Sequence, residues 1–176
     1  MPRENLKALS RQRLMFADIP DFFALLNSET PRMAAILAAA GVEDGLEFAI
    51  QNQFMRGLNK SEFKDMFDSD GMLSTFGAKI KMGHALQLYG DITRADLNCI
   101  KDIRNVFAHA KMQLDFSRPE VIDACNQLKG PFGPGTNDKK LWPPFEQYMK
   151  CAEYLYLEFL NVATEDVTIR VHPKLP

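Results

Sequence analysis

The chain has little of what usually announces chemistry. Its 176 residues include three cysteines, three histidines and one tryptophan. Cys99, Cys125 and Cys151 lie 26 residues apart, without a C-x-x-C pair, so they offer no disulfide framework and read as reduced thiols packed as small hydrophobes. His84, His109 and His172 are too scattered to form a metal set by spacing, and the expectation is no metal and no cofactor. No long apolar run is present: Met33–Gly41 holds nine residues against the ~20 that cross a bilayer. No sign of charge dominates either. Lys and Arg total 21 against 23 acidic residues, a net charge of −2, which excludes a global attraction to nucleic acid or membrane and requires a local patch for any such binding. The opening Met-Pro-Arg-Glu-Asn has no apolar stretch like a secretory signal, so a cytoplasmic location is expected.

Common site motifs are missing as well. There is no G-x-x-x-x-G-K-[ST], no H-E-x-x-H and no G-x-S-x-G. Asp68-Ser-Asp70-Gly71 resembles part of a calcium loop, but alignment on the glycine puts Met66 at the first ligand position and Gly77 at the last. These aspartates fit a polar loop ahead of a helix.

Strand formers are also scarce. Val, Ile and Thr number 21, whereas Ala, Leu and Met number 45, which predicts an all-α chain. The expected architecture is one helical domain over 1–176, a multi-helix bundle. Thr30-Pro31 starts one helix, which Gly41 and Gly45 are expected to break or kink before Leu46–Met55. Ser61, Phe63 and Phe67 mark a short helix ending near Asp68. A long helix is predicted over Met72–Tyr89 with a stop at Gly90, another from Thr93 through Ala110, and a third over Glu120–Lys129 behind Ser117 and Pro119. From Pro144, the residues Phe145, Met149, Ala152, Tyr156, Phe159 and Ala163 recur at helical spacing, with Tyr148, Leu155 and Val162 widening the face. A Gly/Pro-rich loop, 130–144, precedes this last long helix; it reads as a surface connector with Phe132 and Trp142 tucked onto the core. Val167–Val171 alternates as an extended edge would.

The helix from Thr93 carries the anomaly. With Ile100 as zero on a helical wheel, Leu97, Ile103, Phe107 and Ala110 fall within about 80° of it and define the core side. Asp102, Asn105 and His109 lie opposite, as neighbours. Arg104 sits only ~40° from Ile100, well inside the apolar side. A guanidinium keeps its proton in a protein, so one placed there must meet an acceptor or extend outward. The acceptor is either a carboxylate of the same chain, such as Asp68, Asp70 or Glu47, or an anionic ligand.

Arg104-Asn-Val-Phe-Ala-His109 resembles the R-x4-H motif of the HEPN superfamily, all-helical domains that include metal-independent ribonucleases and inactive relatives. Upstream, Asp70–Lys81, Ala85–Gly90 and Asp96-Leu97 extend the likeness across 66–115, and this stretch is similar to the mannitol operon repressor family, with Met72 where proline is usual. The resemblance implies a HEPN-like fold and a homodimer in which arginine and histidine from both chains line one cleft. On one ideal helix the pair is separated by ~140° and ~7.5 Å of rise, a difficulty that a composite site resolves. His109 would then serve as acid or base at a ribose 2′-OH, Arg104 would hold the phosphate, and Asn105 would orient the imidazole or bond phosphate.

Two active function classes follow, beside an inactive scaffold in which Arg104 and His109 only stabilise a dimer. One is a helical regulatory protein similar to mannitol operon repressors, working through a protein partner in transcription regulation. Direct DNA reading finds no support, because no second recognition helix rich in Arg, Asn or Gln is evident. The other is a metal-independent endoribonuclease acting on single-stranded RNA. Met72–Lys111 carries six basic residues against three acidic ones, so Lys79 and Lys81 are candidate phosphate contacts.

Overall fold

The computed structural model describes residues 14, 16–54, 59–68, 70–131 and 142–164. It is all-α, and among these residues there is no strand. A 3-10 turn, Phe16–Asp18, leads into α1 (Ile19–Leu26), followed by α2 (Pro31–Phe54), α3 (Lys60–Phe67), α4 (Phe76–Ala85), α5 (Asp91–His109), α6 (Pro119–Gln127) and α7 (Pro144–Thr164). One buried apolar cluster draws on α1, α2, α4, α5, α6 and α7, while Met66 and Phe67 of α3 pack against it. Among the described residues no helix is long and apolar enough to cross a membrane. Phe132 and the 167–171 segment lie outside the described residues.

The central element is α2, which packs along α7 and also meets α1, α4 and α5. Pro31 opens it, and the Thr30 hydroxyl accepts from Met33 N at 3.3 Å. Contrary to the expected break, α2 runs unbroken for 24 residues through Gly41 and Gly45. Gly45 serves packing. A Cβ on Gly45 would lie 2.5 Å from Tyr156 Cδ2, so only hydrogen leaves room for the ring of α7. Helix propensity loses ~1 kcal/mol at such a glycine, and the close approach of α7 offsets it. Buried alanines at 34, 35, 38, 39 and 49 continue the narrow seam.

Two boundaries differ from expectation for local reasons. The predicted Met72–Tyr89 helix is shorter, Phe76–Ala85. Thr75 is extended and its hydroxyl caps Ala78 N at 3.2 Å, while Leu73 N reaches back to Met66 O at 2.9 Å, which keeps 70–74 in turns. At the other end Gln87 adopts φ 57°, and Leu88 N bonds Gly83 O at 3.0 Å. This left-handed stop precedes Gly90, which instead begins α5. The cap of α3 is Asn59 in a reciprocal capping box with Glu62, two residues ahead of Ser61, from which the helix was expected to start. Helix α1 was not anticipated, although Ile19, Phe23 and Leu26, all buried, carry helical spacing behind Pro20.

The last helix matches its pattern. Tyr148, Met149, Ala152, Leu155, Tyr156 and Phe159 are buried. Tyr148 is completely enclosed and donates its hydroxyl proton to Ala35 O at 2.7 Å, tying α7 to α2. Burial pushes that hydroxyl well above the ordinary tyrosine value.

Candidate functional site

The apolar side of α5 is as expected at Leu97, Ile100, Ile103 and Phe107, which are buried, whereas Ala110 caps the helix and is half-buried. Arg104 stands at its edge, 29% exposed, and its Nη2 donates to Glu43 Oε2 at 3.0 Å. Glu43 and Glu47 are four residues apart on α2 and therefore share a face. Between them lies Lys79 of α4, its side chain only 7% exposed, with Nζ 2.9 Å from Glu43 Oε1 and 2.8 Å from Glu47 Oε2. Two carboxylates thus meet two cations where α2, α4 and α5 converge. Burial drives the Lys79 pKa down, but the two glutamates outweigh it and leave the amine above its ordinary value.

This cluster answers the anomaly inside one chain. The acceptor is a carboxylate of the same chain, as one reading of Arg104 required, but it is Glu43; Glu47 is engaged by Lys79. Lys79 is a buried ion-pair residue, which separates it from Lys81, exposed on the same helix. Sequence reasoning missed Glu43 and the role of Lys79. The available signal was the i,i+4 glutamate pair within an otherwise alanine-rich helix.

His109 is exposed in the last turn of α5, and Asn105 is half-buried. No hydrogen bond or ion pair joins Arg104, Asn105 and His109 within the chain, among the described residues. The end of α5 is instead fixed by Arg32 of α2, whose Nη2 donates to Ala110 O at 2.8 Å and Met112 O at 2.9 Å. Terminal carbonyls of a helix lack internal donors, and a cation is favoured there.

Asp96, near the start of α5, is 2% exposed. Its two carboxylate oxygens accept from Lys129 N and Gly130 N, both at 2.8 Å, and anchor the first residues of the Gly/Pro-rich segment to α5. Trp142, at the far side of that segment, is half-buried, accepts from Gln147 Nε2 through its carbonyl at 2.7 Å, and lies under Lys150 with 4.7 Å to the ring centre. Both contacts are structural.

None of the three cysteines is in a disulfide. Cys125 and Cys151 are buried, and Cys99 Sγ donates to Ala124 O at 3.1 Å. Among the described residues no three His, Cys, Asp or Glu side chains converge to hold a metal ion. No family model, curated protein or solved structure matches the chain.

Proposed function

We propose that this chain is a helical regulatory protein that acts by contacting another protein, in the manner of the mannitol operon repressors it resembles. The observation that carries the reading is the pairing of Arg104 with Glu43. A group that stabilises a phosphoryl oxyanion must offer its charge to the ligand. Here the charge is met inside the subunit, and the neighbouring Glu43 and Glu47 would repel a phosphodiester. What α5 leaves for recognition is its outward surface, where Asp102, Val106 and His109 are exposed and Met112 follows just beyond. A net charge of −2 gives DNA no general attraction to such a surface.

A second reading is favoured by the exposure of His109 and the residual 29% exposure of Arg104. In a homodimer, His109 of one copy could face Arg104 of the other. The imidazole would take the 2′-OH proton, the 2′ oxygen would attack phosphorus, and the 5′ oxygen would leave with a proton returned by the imidazolium. The products would be a 2′,3′-cyclic phosphate and a 5′-hydroxyl.

Two measurements separate these. Purified protein with single-stranded RNA in EDTA should give no cleavage, and a photoreactive amino acid at Val106 should form a protein adduct in cells. Cleavage that His109→Ala abolishes would replace the regulatory reading with the nuclease one. Neither cleavage nor adduct would sink both.

A further inference from the structure

A groove of about 340 Å³ runs between α4 and α5. Three cations line it, Lys81 from α4 with Arg94 and Lys101 from α5, together with the amide of Asn98. Among the described residues no carboxylate lines it. The nearby acids are engaged elsewhere: Asp91 bonds His84 Nε2 at 3.0 Å, Glu43 and Glu47 hold Lys79, and Glu43 also holds Arg104. Among the described residues only Asp102 reaches a groove cation, 3.3 Å from Lys101 Nζ. Among the described residues neither Lys81 nor Arg94 has a carboxylate within 4.0 Å, and both are exposed.

We propose that this groove binds a compact phosphorylated small molecule, its phosphoryl oxygens held by Lys81, Arg94 and Lys101. Arg94, Asn98 and Lys101 follow one another at steps of four and three, so they share one face of α5 over about 10 Å. That span suits one or two phosphoryl groups. A planar guanidinium offers paired donors to phosphate oxygens, and two ammonium groups add point charges. Lys101 Nζ is already directed by a 3.2 Å bond to Asn98 Oδ1. A single-stranded nucleic acid is the poorer fit, because among the described residues no aromatic side chain lines the groove to stack a base. Gly77 also lines the groove, and a Cβ there would meet Lys101 Cδ at an ordinary 3.9 Å. Gly77→Ala therefore keeps every charge and the fold while adding bulk beside the lysine.

Titration calorimetry of the full chain with inorganic phosphate, then pyrophosphate, at fixed ionic strength tests the assignment. One saturable site is expected, tighter for pyrophosphate. Lys81→Gln and Arg94→Gln should each weaken it at least fivefold, their combination should abolish it, Gly77→Ala should weaken it about threefold, and Lys150→Gln on α7 should leave it unchanged. No saturable heat, or equal binding by the double variant, overturns the site. Equal affinity for succinate would overturn the phosphoryl class. Tighter, steeply salt-dependent binding of a ten-nucleotide single-stranded RNA would overturn the compact ligand.

Discussion

Lys79 and Lys81 are two residues apart on α4, and the protein treats them oppositely. A two-residue step turns a helix by ~200°. One amine therefore enters the junction with α2, where Glu43 and Glu47 enclose it, and the other stays at the rim of the α4–α5 groove, with no acid beside it among the described residues. The same division holds on α5, where Arg104 is paired with Glu43 while Arg94 lines the groove. Local positive charge in this stretch thus serves two purposes. In the cluster it joins three helices; in the groove it is left available to an anion.

The sharpest way to break this contrast is Glu43→Ala, which takes a carboxylate from Lys79 and from Arg104 at once. Its removal leaves Arg104, part exposed, without its carboxylate and Lys79 with Glu47 alone, and a loss of about 2–3 kcal/mol is expected in urea unfolding. Glu43→Gln should recover part of it. Next in size is Gly45→Ala, which forces a methyl against Tyr156 and should cost about 2 kcal/mol, since overpacking typically costs 1–3 kcal/mol. Asp96→Asn leaves one carbonyl oxygen for two amides. About 1–2 kcal/mol should be lost, with faster hydrogen exchange at Lys129 and Gly130.

A pH test sharpens the comparison further. The folded Lys79 amine has a pKa above its ordinary 10.5, so the folded state holds its proton longer than the unfolded one. Its stabilising effect is complete below about pH 10 and is lost as pH rises from 10.5 through the higher folded value. The alkaline decline in stability should be shallower in Lys79→Gln than in the parent. Tyr148 contributes a decline of the same sign in both proteins, so the difference isolates the lysine. The smallest effect belongs to the groove: Lys81→Gln and Arg94→Gln should stay within about 0.5 kcal/mol of the parent, as exposed substitutions do. A large loss at either would erase the distinction between the regions.

The helical class and the faces of α5 and α7 were legible in sequence because apolar spacing follows directly from helix geometry. The misplacement of Arg104 was legible too, since a fixed charge on an oily side demands an acceptor. Its partner was not. Choosing Glu43 over Glu47, Asp68 or Asp70 depends on the register between α2 and α5, which is set by packing across 61 residues of chain. Gly45 misled for a related reason: propensity describes an isolated helix, whereas Tyr156 arrives from another one. The early end of α4 was hidden because Gln87, rather than a glycine, takes the left-handed conformation.

Since α2 supplies both the glutamates of the ion cluster and the small-residue seam under α7, these regions cannot melt one after the other. Loosening the tyrosine contacts at Gly45 would shift the backbone that carries Glu43, only two residues away. A substitution in the seam should therefore be felt as a change in the electrostatics of the cluster, so surveys that sort variants into structural and functional classes by location alone would misfile those along this helix.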